Sequence, residues 1–335
     1  MNDRVGVILA AGRGRRMGEL GQQYPKPMMP IANQPLIVYH IKMFRDLGIS
    51  KIFIIVKYMA AHIAQALGDG SAYGVDITYV EQEGQLLGSA HSLTQVAPYI
   101  NGTFLLVLGD YYFVTSEVER LVTRAEKTGS SVMAVKREKD RQALCEACVV
   151  EAEDDGRIIH IHEKPRFPST DIKGCGLYAF QPEIFNAVYK TPRTALRDEY
   201  EITLSIELFI QDGNVVFAED IIEWDANLTR PTDVLRCNLA ALDYLDRPYL
   251  IGRDTCVAAG SEIQKAVIGN SVTIAGQVML HKAAVFDGSR IDVEGLYENV
   301  IITPTAIFPC TDSGDEPGKH ITVQEMHANN RRRKT

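Results

Sequence analysis

"VILAAGRGRRMGELGQQYPKPMMPI", residues 7–31, runs from an apolar strand into glycines and arginines and closes on a lysine between two prolines. A glycine-rich turn after a first strand, opening a helix, is a place for phosphate. Backbone N–H groups approach closely where no Cβ intrudes, and a helix N-terminus favours an anion. A dinucleotide fingerprint fails here twice. Met17 stands where the third glycine of G-x-G-x-x-G belongs, and "KIFIIVKYM" ends in Lys57 and uncharged residues where an acid is required. No G-x-x-x-x-G-K-[ST] occurs, which excludes a P-loop. What remains is a loop with Arg15 and Arg16 and, ten residues past Arg16, Lys26, whose backbone is limited by Pro25 and Pro27. Three fixed cations beside such a loop suit a triphosphate better than a dinucleotide.

Outward from this stretch, strand-like runs alternate with helical patterns. "VGVILA" leads to a helix near 35–47, "KIFIIVK" to one near 59–67, and "DITYVEQ" to one near 88–97. "TFLLVLGD" precedes a helix near 116–128, and "SSVMAVK" follows it. Continuous apolar runs such as "FLLVL" suit strands buried on both faces, so the expectation is an α/β domain with a Rossmann-like, mixed but mostly parallel sheet. From about residue 145 the pattern changes to a hairpin, "CVVEAEDDGRIIHIHEKP", then the strand "GCGLYAF", helices near 182–190 and 200–211, the strands of "VVFAEDIIEW" and a helix near 231–245.

After Pro248 a shorter period takes over. Ile251, Val257 and Ile263 fall six apart, and after a one-residue slip the series resumes at Ile268, Ile274 and Leu280. One aliphatic per six residues, with small residues between, predicts a left-handed parallel β-helix. The expected division is therefore a catalytic domain over 1–248, a β-helix over 249–311 and a tail over 312–335, with "DSGDEPGKH" as loop.

The totals argue against a nucleic-acid binder. The chain has 335 residues and a net charge of -8, against the basic face a nucleic-acid binder needs. The apolar start is too short for a signal or a membrane span, so the expected compartment is the cytoplasm, with no membrane partner. Of six cysteines only Cys145 and Cys148 form a CxxC pair, with no second pair to complete a zinc site.

The ordered motifs resemble the sugar-phosphate nucleotidyltransferases, the pyrophosphorylases that make nucleotide sugars. G-x-G-x-R-[ML] followed by P-K-P carries the likeness first, and members with an added hexapeptide β-helix match the overall plan. The resemblance implies catalytic roles for Arg16 and Lys26, and nucleotide contacts from Ala10, Ala11, Gly12, Gly14 and Arg15. "EQEGQLLGSA" resembles the family's nucleobase segment and implies contacts from Gln82 and Gly88. "LVLGD" resembles its metal strand, with Asp110 on Mg²⁺; a helix-capping aspartate is the alternative reading of that residue. "HEKP" implies that Glu163 contacts the acceptor and Lys164 its phosphate, and "DEYEIT" adds Glu201. Counting back from "RPTDVLRCN", the second metal position falls on Asn227, where relatives carry aspartate, with Asp225 as runner-up.

The acceptor half departs from the family pattern. Cys148 in "ACVVE" takes a glycine position, "GCG" has Gly174 in place of an asparagine while Gly176 keeps the family glycine, and Leu204 replaces an aspartate. The expectation is Mg²⁺-dependent transfer of a nucleoside monophosphate from a triphosphate to a sugar 1-phosphate, an unusual one, with release of pyrophosphate. Two alternatives stay open: a cytidylyltransferase for a non-sugar phosphate or phosphonate, and a non-catalytic regulatory or assembly subunit. His281 stands alone in the β-helix, which points to a structural or homo-oligomer role, dimer or higher, rather than acyl transfer. The nucleobase is open among uracil, thymine, cytosine and guanine.

Overall fold

The computed structural model describes residues 4–85, 87–194 and 198–310, and the backbone alone of residues 321–322. The chain forms two compact units, Met1–Gly12 with Ile37–Asp225, and Arg13–Leu36 with Ala226–Thr335. This grouping differs from a division at residue 248, because the glycine turn's return arm and the helix after residue 230 go with the C-terminal coils.

In the first unit, β1 (Val5–Ala10), β2 (Lys51–Val56), β3 (Asp76–Glu81) and β4 (Phe104–Leu108) lie parallel in the order β3-β2-β1-β4. Their apolar runs are covered on both faces: Val7, Ile8, Ile54, Ile55 and residues 104–107 are wholly buried, as a parallel sheet requires. The other half adds β5 (Ser131–Arg137), the hairpin β6 (Cys148–Ala152) and β7 (Ile158–Glu163), β8 (Ile172–Phe180) and β9 (Val216–Asp220). The long β8 runs antiparallel to β4, β5 and β6, while β9 lies parallel to β5, giving one mixed nine-stranded sheet. Helices α1 (Leu36–Asp46), α2 (Ala60–Leu67), α3 (Ser89–Thr94), α4 (Val118–Thr128), α5 (Ile184–Lys190) and α6 (Ile202–Gln211) stand within two residues of the predicted spans, α3 excepted, which stops three residues early. Phe104 stacks on Phe185, centroids 5.6 Å apart, and ties β4 to α5 within the core.

The second unit begins in the glycine turn. No long helix opens there: Arg15–Met17 forms a single 3-10 turn and Leu20–Gln23 one further turn. Gly14 at φ 64° and Gly18 at φ 59° are left-handed and break the helical path on both sides, so the expected helix N-terminus is corrected to a wound loop. The arm returns through a 3-10 turn at Lys26–Met28 and a two-strand ribbon, Pro30–Ile31 against Gln34–Pro35. Pro231 starts α7 (Pro231–Tyr244), and the Asp233 carboxylate accepts from the Thr229 and Arg230 N–H groups at its head.

Beyond α7 the chain winds in parallel coils: β10 (Tyr249–Ile251), β11 (Cys256–Val257), β12 (Glu262–Ile268), β13 (Thr273–Ile274), β14 (Val278–Val285), β15 (Arg290–Ile291) and β16 (Gly295–Ile302). Each strand pairs with its counterpart one coil further on, as Tyr249 with Ala266, Ala266 with Ala283, and Ala283 with Val300. Side chains bond across the same step of 17 in sequence, Arg253 N–H to Asn270 and Asn270 N–H to Asp287. The one-residue slip is thus a feature of every turn: two six-residue steps and one of five. Lys265, Lys282 and Asn299 at one corner, and Asp254, Ser271 and Gly288 at another, all take positive φ at this interval. The inward ladders Ile268–Val285–Ile302, Ile274–Ile291 and Leu280–Tyr297 form a separate apolar core. β17 (Ala306–Pro309) then turns antiparallel against β16 and meets β18 (Ile321–Thr322); the stretch after Thr311, expected as loop, lies outside the described set up to residue 320.

Leu280 is wholly buried at the centre of the coil core. Leu280→Ala is expected to cost about 2–5 kcal/mol of that unit's stability by loss of transfer energy and creation of a cavity. Urea unfolding followed in the full chain checks it by a lowered midpoint.

Candidate active site

In the second unit the turn and the P-K-P arm meet. A Cβ built on Gly14 would lie 2.9 Å from Lys26 Cε and 3.0 Å from its Cγ, so the lysine stem lies directly across the glycine. Only glycine serves there, for its left-handed backbone and for the space it leaves. Arg15 and Arg16 are exposed on the same turn. Lysine carries a compact charge on a flexible stem, and here the fixed turn between Pro25 and Met28 directs that stem.

In the first unit β1 ends on buried Ala10 and Ala11. Gly109 donates to the Leu9 carbonyl at 2.9 Å, and a Cβ there would stand 2.7 Å from that oxygen. This close passage sets the half-buried Asp110 at the carboxyl end of β4, beside β1, where open α/β sheets bind ligands. Behind it lies His40, whose imidazole burial drives down to about 4, against the opposing pull of the Asp110 carboxylate and the Tyr111 backbone.

Gln82 sits in the interior at 1% exposure, with its amide spent on protein. Ser92 Oγ donates to its Oε1 at 2.6 Å, and its Nε2 meets His91 Nδ1 at 3.0 Å and the Gln85 carbonyl at 3.3 Å. Here Gln82 fixes the loop that follows it. Gly88, at φ 111°, leaves no room for a Cβ against the Tyr200 backbone. Across it, Tyr200 N–H donates to the Leu87 carbonyl at 2.6 Å and Ala90 N–H to the Tyr200 carbonyl at 2.9 Å. The "GSA" and "EYEIT" segments, far apart in sequence, are thereby clasped, and the Ile202 N–H donates to Ser89 Oγ. The clasp brings the buried Glu201 to the head of α3.

The residues predicted for the acceptor also gather within this unit. Cys148 lies directly opposite Glu163 in the β6–β7 hairpin. Burial raises the Cys148 thiol well above its ordinary range, helped by the Glu163 and Glu201 carboxylates, so it stays a neutral packing group. Lys164 takes φ 50° and donates its N–H to the Ala147 carbonyl at 2.9 Å. The space a side chain at Gly174 would enter is filled by Met133 and by Cys148 Sγ, 3.3 Å away.

Sequence reasoning missed two groups. Tyr111 packs its ring against Gly176. Burial holds its phenol far above the usual range, with Asp225, Asp110 and Glu163 adding to the rise. The only sequence cue is its place after Asp110 in "LGDYY". The second is a buried ion network: Lys173 Nζ lies 2.8 Å and Lys136 Nζ 3.4 Å from the Asp225 carboxylate, and Lys136 reaches Glu138 at 3.0 Å. Asp225 is thus held by two ammonium groups.

Among the described residues no group of three or more His, Cys, Asp or Glu could hold a metal ion. Magnesium in general needs only one or two protein oxygens and keeps the rest of its shell for water and phosphate. Asn227, in the second unit, has a buried Oδ1 with no hydrogen-bond partner, an oxygen donor left uncommitted. No helix among the described residues is long and apolar enough to cross a membrane.

The second unit holds a glycine turn crossed by a lysine, and the first an α/β sheet with Asp110 at the carboxyl end of β4. The chain belongs to the nucleotidyl transferase family, whose model matches residues 5–225, and it is an enzyme of that class. It is 28% identical to a glucose-1-phosphate thymidylyltransferase of Streptomyces antibioticus, over 98% of this chain and 96% of that one. It is 32% identical to the UTP–glucose-1-phosphate uridylyltransferase AglF of Haloferax volcanii, over 68% of this chain and 92% of that one. A solved UDP-glucose pyrophosphorylase bound to UDP-glucose shares the fold, with a TM-score of 0.63 at 19% identity, over 73% of this chain and 99% of that one.

Asp225→Asn would leave the buried Lys173 without its carboxylate, while Lys136 keeps Glu138. It is expected to destabilise by about 3–5 kcal/mol, while Lys173→Met together with Asp225→Leu recovers a large part of that loss. Denaturant midpoints of the single and double variants test the pair.

Proposed function

We propose that this enzyme transfers a nucleoside monophosphate from a pyrimidine nucleoside triphosphate to a sugar 1-phosphate. A phosphate oxygen of the acceptor attacks the α-phosphorus; the new P–O bond forms as the bond to the bridging oxygen breaks, and pyrophosphate leaves. The acceptor phosphate is already ionised near neutral pH, so no general base is needed. The protein must overcome repulsion between two anions, hold them in line and neutralise the leaving group. The observation that carries this reading is the Lys26 stem laid across Gly14, which brings the lysine onto the glycine turn. In the proposal Arg15, Arg16 and Lys26 meet the β- and γ-phosphates, with Ala10, Ala11, Gly12 and Gly14 offering backbone. Gln82 and Gly88 shape the loop that receives the base. The thymidylyl and uridylyl transfer named for the two relatives supports a pyrimidine.

Asp110 and the Asn227 carbonyl would hold Mg²⁺, which when bound screens phosphate charge and stabilises the departing pyrophosphate. Asp225 has the weaker claim, since its carboxylate is committed to Lys173 and Lys136. Glu163, Lys164, Glu201, Cys148 and Gly176 would receive the acceptor. The filled space at Gly174 and the thiol at 148 support an acceptor other than plain glucose 1-phosphate. The catalytic part is assigned to residues 1–248. The coils over 249–311 are assigned the left-handed sense of hexapeptide modules and a part in a homo-oligomer. The cytoplasm is the proposed compartment.

Pyrophosphate release from thymidine or uridine triphosphate, with magnesium and a panel of sugar 1-phosphates, tests the proposal. Arg16→Ala and Lys26→Ala should each lower the rate by ~10²–10³ while the unfolding midpoint stays near wild type. Near-normal turnover in either variant contradicts the assignment. Glucose 1-phosphate should be a poor acceptor in the same panel, and its efficient use would remove the specificity argument.

A further inference from the structure

We infer that Asn33 is a positioning residue for the reaction, tying the arm that bears Lys26 to the C-terminal coils. The inference rests on Lys26 acting on the triphosphate, and every contact it uses lies within the second unit. Asn33 sits at φ 63° and Ala32 at φ 46°. They are the two central residues of the tight turn joining Pro30–Ile31 to Gln34–Pro35. Asparagine tolerates that backbone, and its side chain is left to reach outward. Its Nδ2 donates to the Ile268 carbonyl at 2.7 Å, at the end of β12. The same carbonyl accepts from Gly252 N–H at 2.8 Å, so both of its lone pairs are used and the contact is built into the stacking of the first two coils.

Two further anchors hold the arm on either side of the lysine. Asn238 of α7, 1% exposed, donates through Nδ2 to the Pro30 carbonyl at 2.9 Å, and its Oδ1 accepts from Ala32 N–H at 2.9 Å. Tyr24, two residues before Lys26, meets Phe286 of the third coil edge to face, centroids 5.3 Å apart, an arrangement aromatic rings favour. The arm is therefore pinned before the lysine by a ring and after it by three hydrogen bonds. A charge acts on a developing phosphate only if held close to the productive geometry, and a lysine stem is flexible. The coils supply what the stem lacks, a fixed base. On this account the C-terminal coils position a catalytic side chain without touching substrate, whatever their part in assembly.

The test uses the full chain carrying Asn33→Gly, which keeps the turn's backbone and removes only the side-chain bond. Binding of thymidine and uridine triphosphates, and of the corresponding monophosphates, is measured by titration calorimetry beside pyrophosphate release. The expected result is triphosphate binding and kcat/KM each lowered about tenfold, with monophosphate binding unchanged, because the arm meets only the outer phosphates. In a Lys26→Ala background the Asn33→Gly effect should vanish, since a positioning residue has nothing left to position. Equal weakening of mono- and triphosphate, or triphosphate binding at the wild-type level, overturns the inference while leaving the role of Lys26 intact. A Lys26→Ala chain that binds triphosphate and turns over at the wild-type level overturns the reading of Lys26 itself.

Discussion

The contact on which the proposed chemistry depends is that between Gly14 and the stem of Lys26. A left-handed glycine lets the turn fold back, and the missing side chain leaves the channel in which the methylenes of lysine lie. Without it, the exposed guanidiniums of Arg15 and Arg16 would be ordinary surface charges. With it, three cations and the amides of a wound loop belong to one short stretch of chain. No helix stands behind the turn: the 3-10 turn at Arg15–Met17 is too short to supply an axial dipole, so in the proposal fixed side-chain charge takes that role.

Each unit contributes a different kind of rigidity. The first places Asp110 at a strand end through the close passage at Gly109, and Glu201 at the start of α6 through the clasp between residues 87–90 and 200–202. Its buried Lys136–Asp225–Lys173 cluster is poor evidence of stability, since desolvation offsets much of the attraction, but it fixes one carboxylate firmly. The second unit contains coils whose corners recur once per turn, and their stacked backbone supports the arm that bears Lys26.

Much of this is legible in the chain before any coordinates. The helices at 36–46, 118–128 and 202–211 announce themselves by period, and "FLLVL" by its unbroken apolar run. The hairpin around "EDDG" and the P-K-P arm are readable from local chemistry. The helix expected after Gly14 is not realised, because two left-handed glycines, Gly14 and Gly18, override the phosphate-turn analogy. The anchors of the arm leave no local sign: Asn238 bonds to Ala32 from the far end of the chain, and nothing near either of them announces the other. Lys173 is hidden in a strand otherwise apolar, since its partner Asp225 is distant in sequence. Tyr111 reads as one more aromatic of a buried strand until the fold sets it against Gly176. The coil period shows as a single slip because only one slip falls inside the stretch from Ile251 to Leu280.

A crystal structure of the full chain with thymidine triphosphate and magnesium tests the central claim most directly. The Lys26 ammonium is expected about 3 Å from a β- or γ-phosphate oxygen, with amides of the Gly12–Gly14 turn on the same phosphates. A bound triphosphate whose outer phosphates lie elsewhere, with the ammonium turned to solvent, would contradict it.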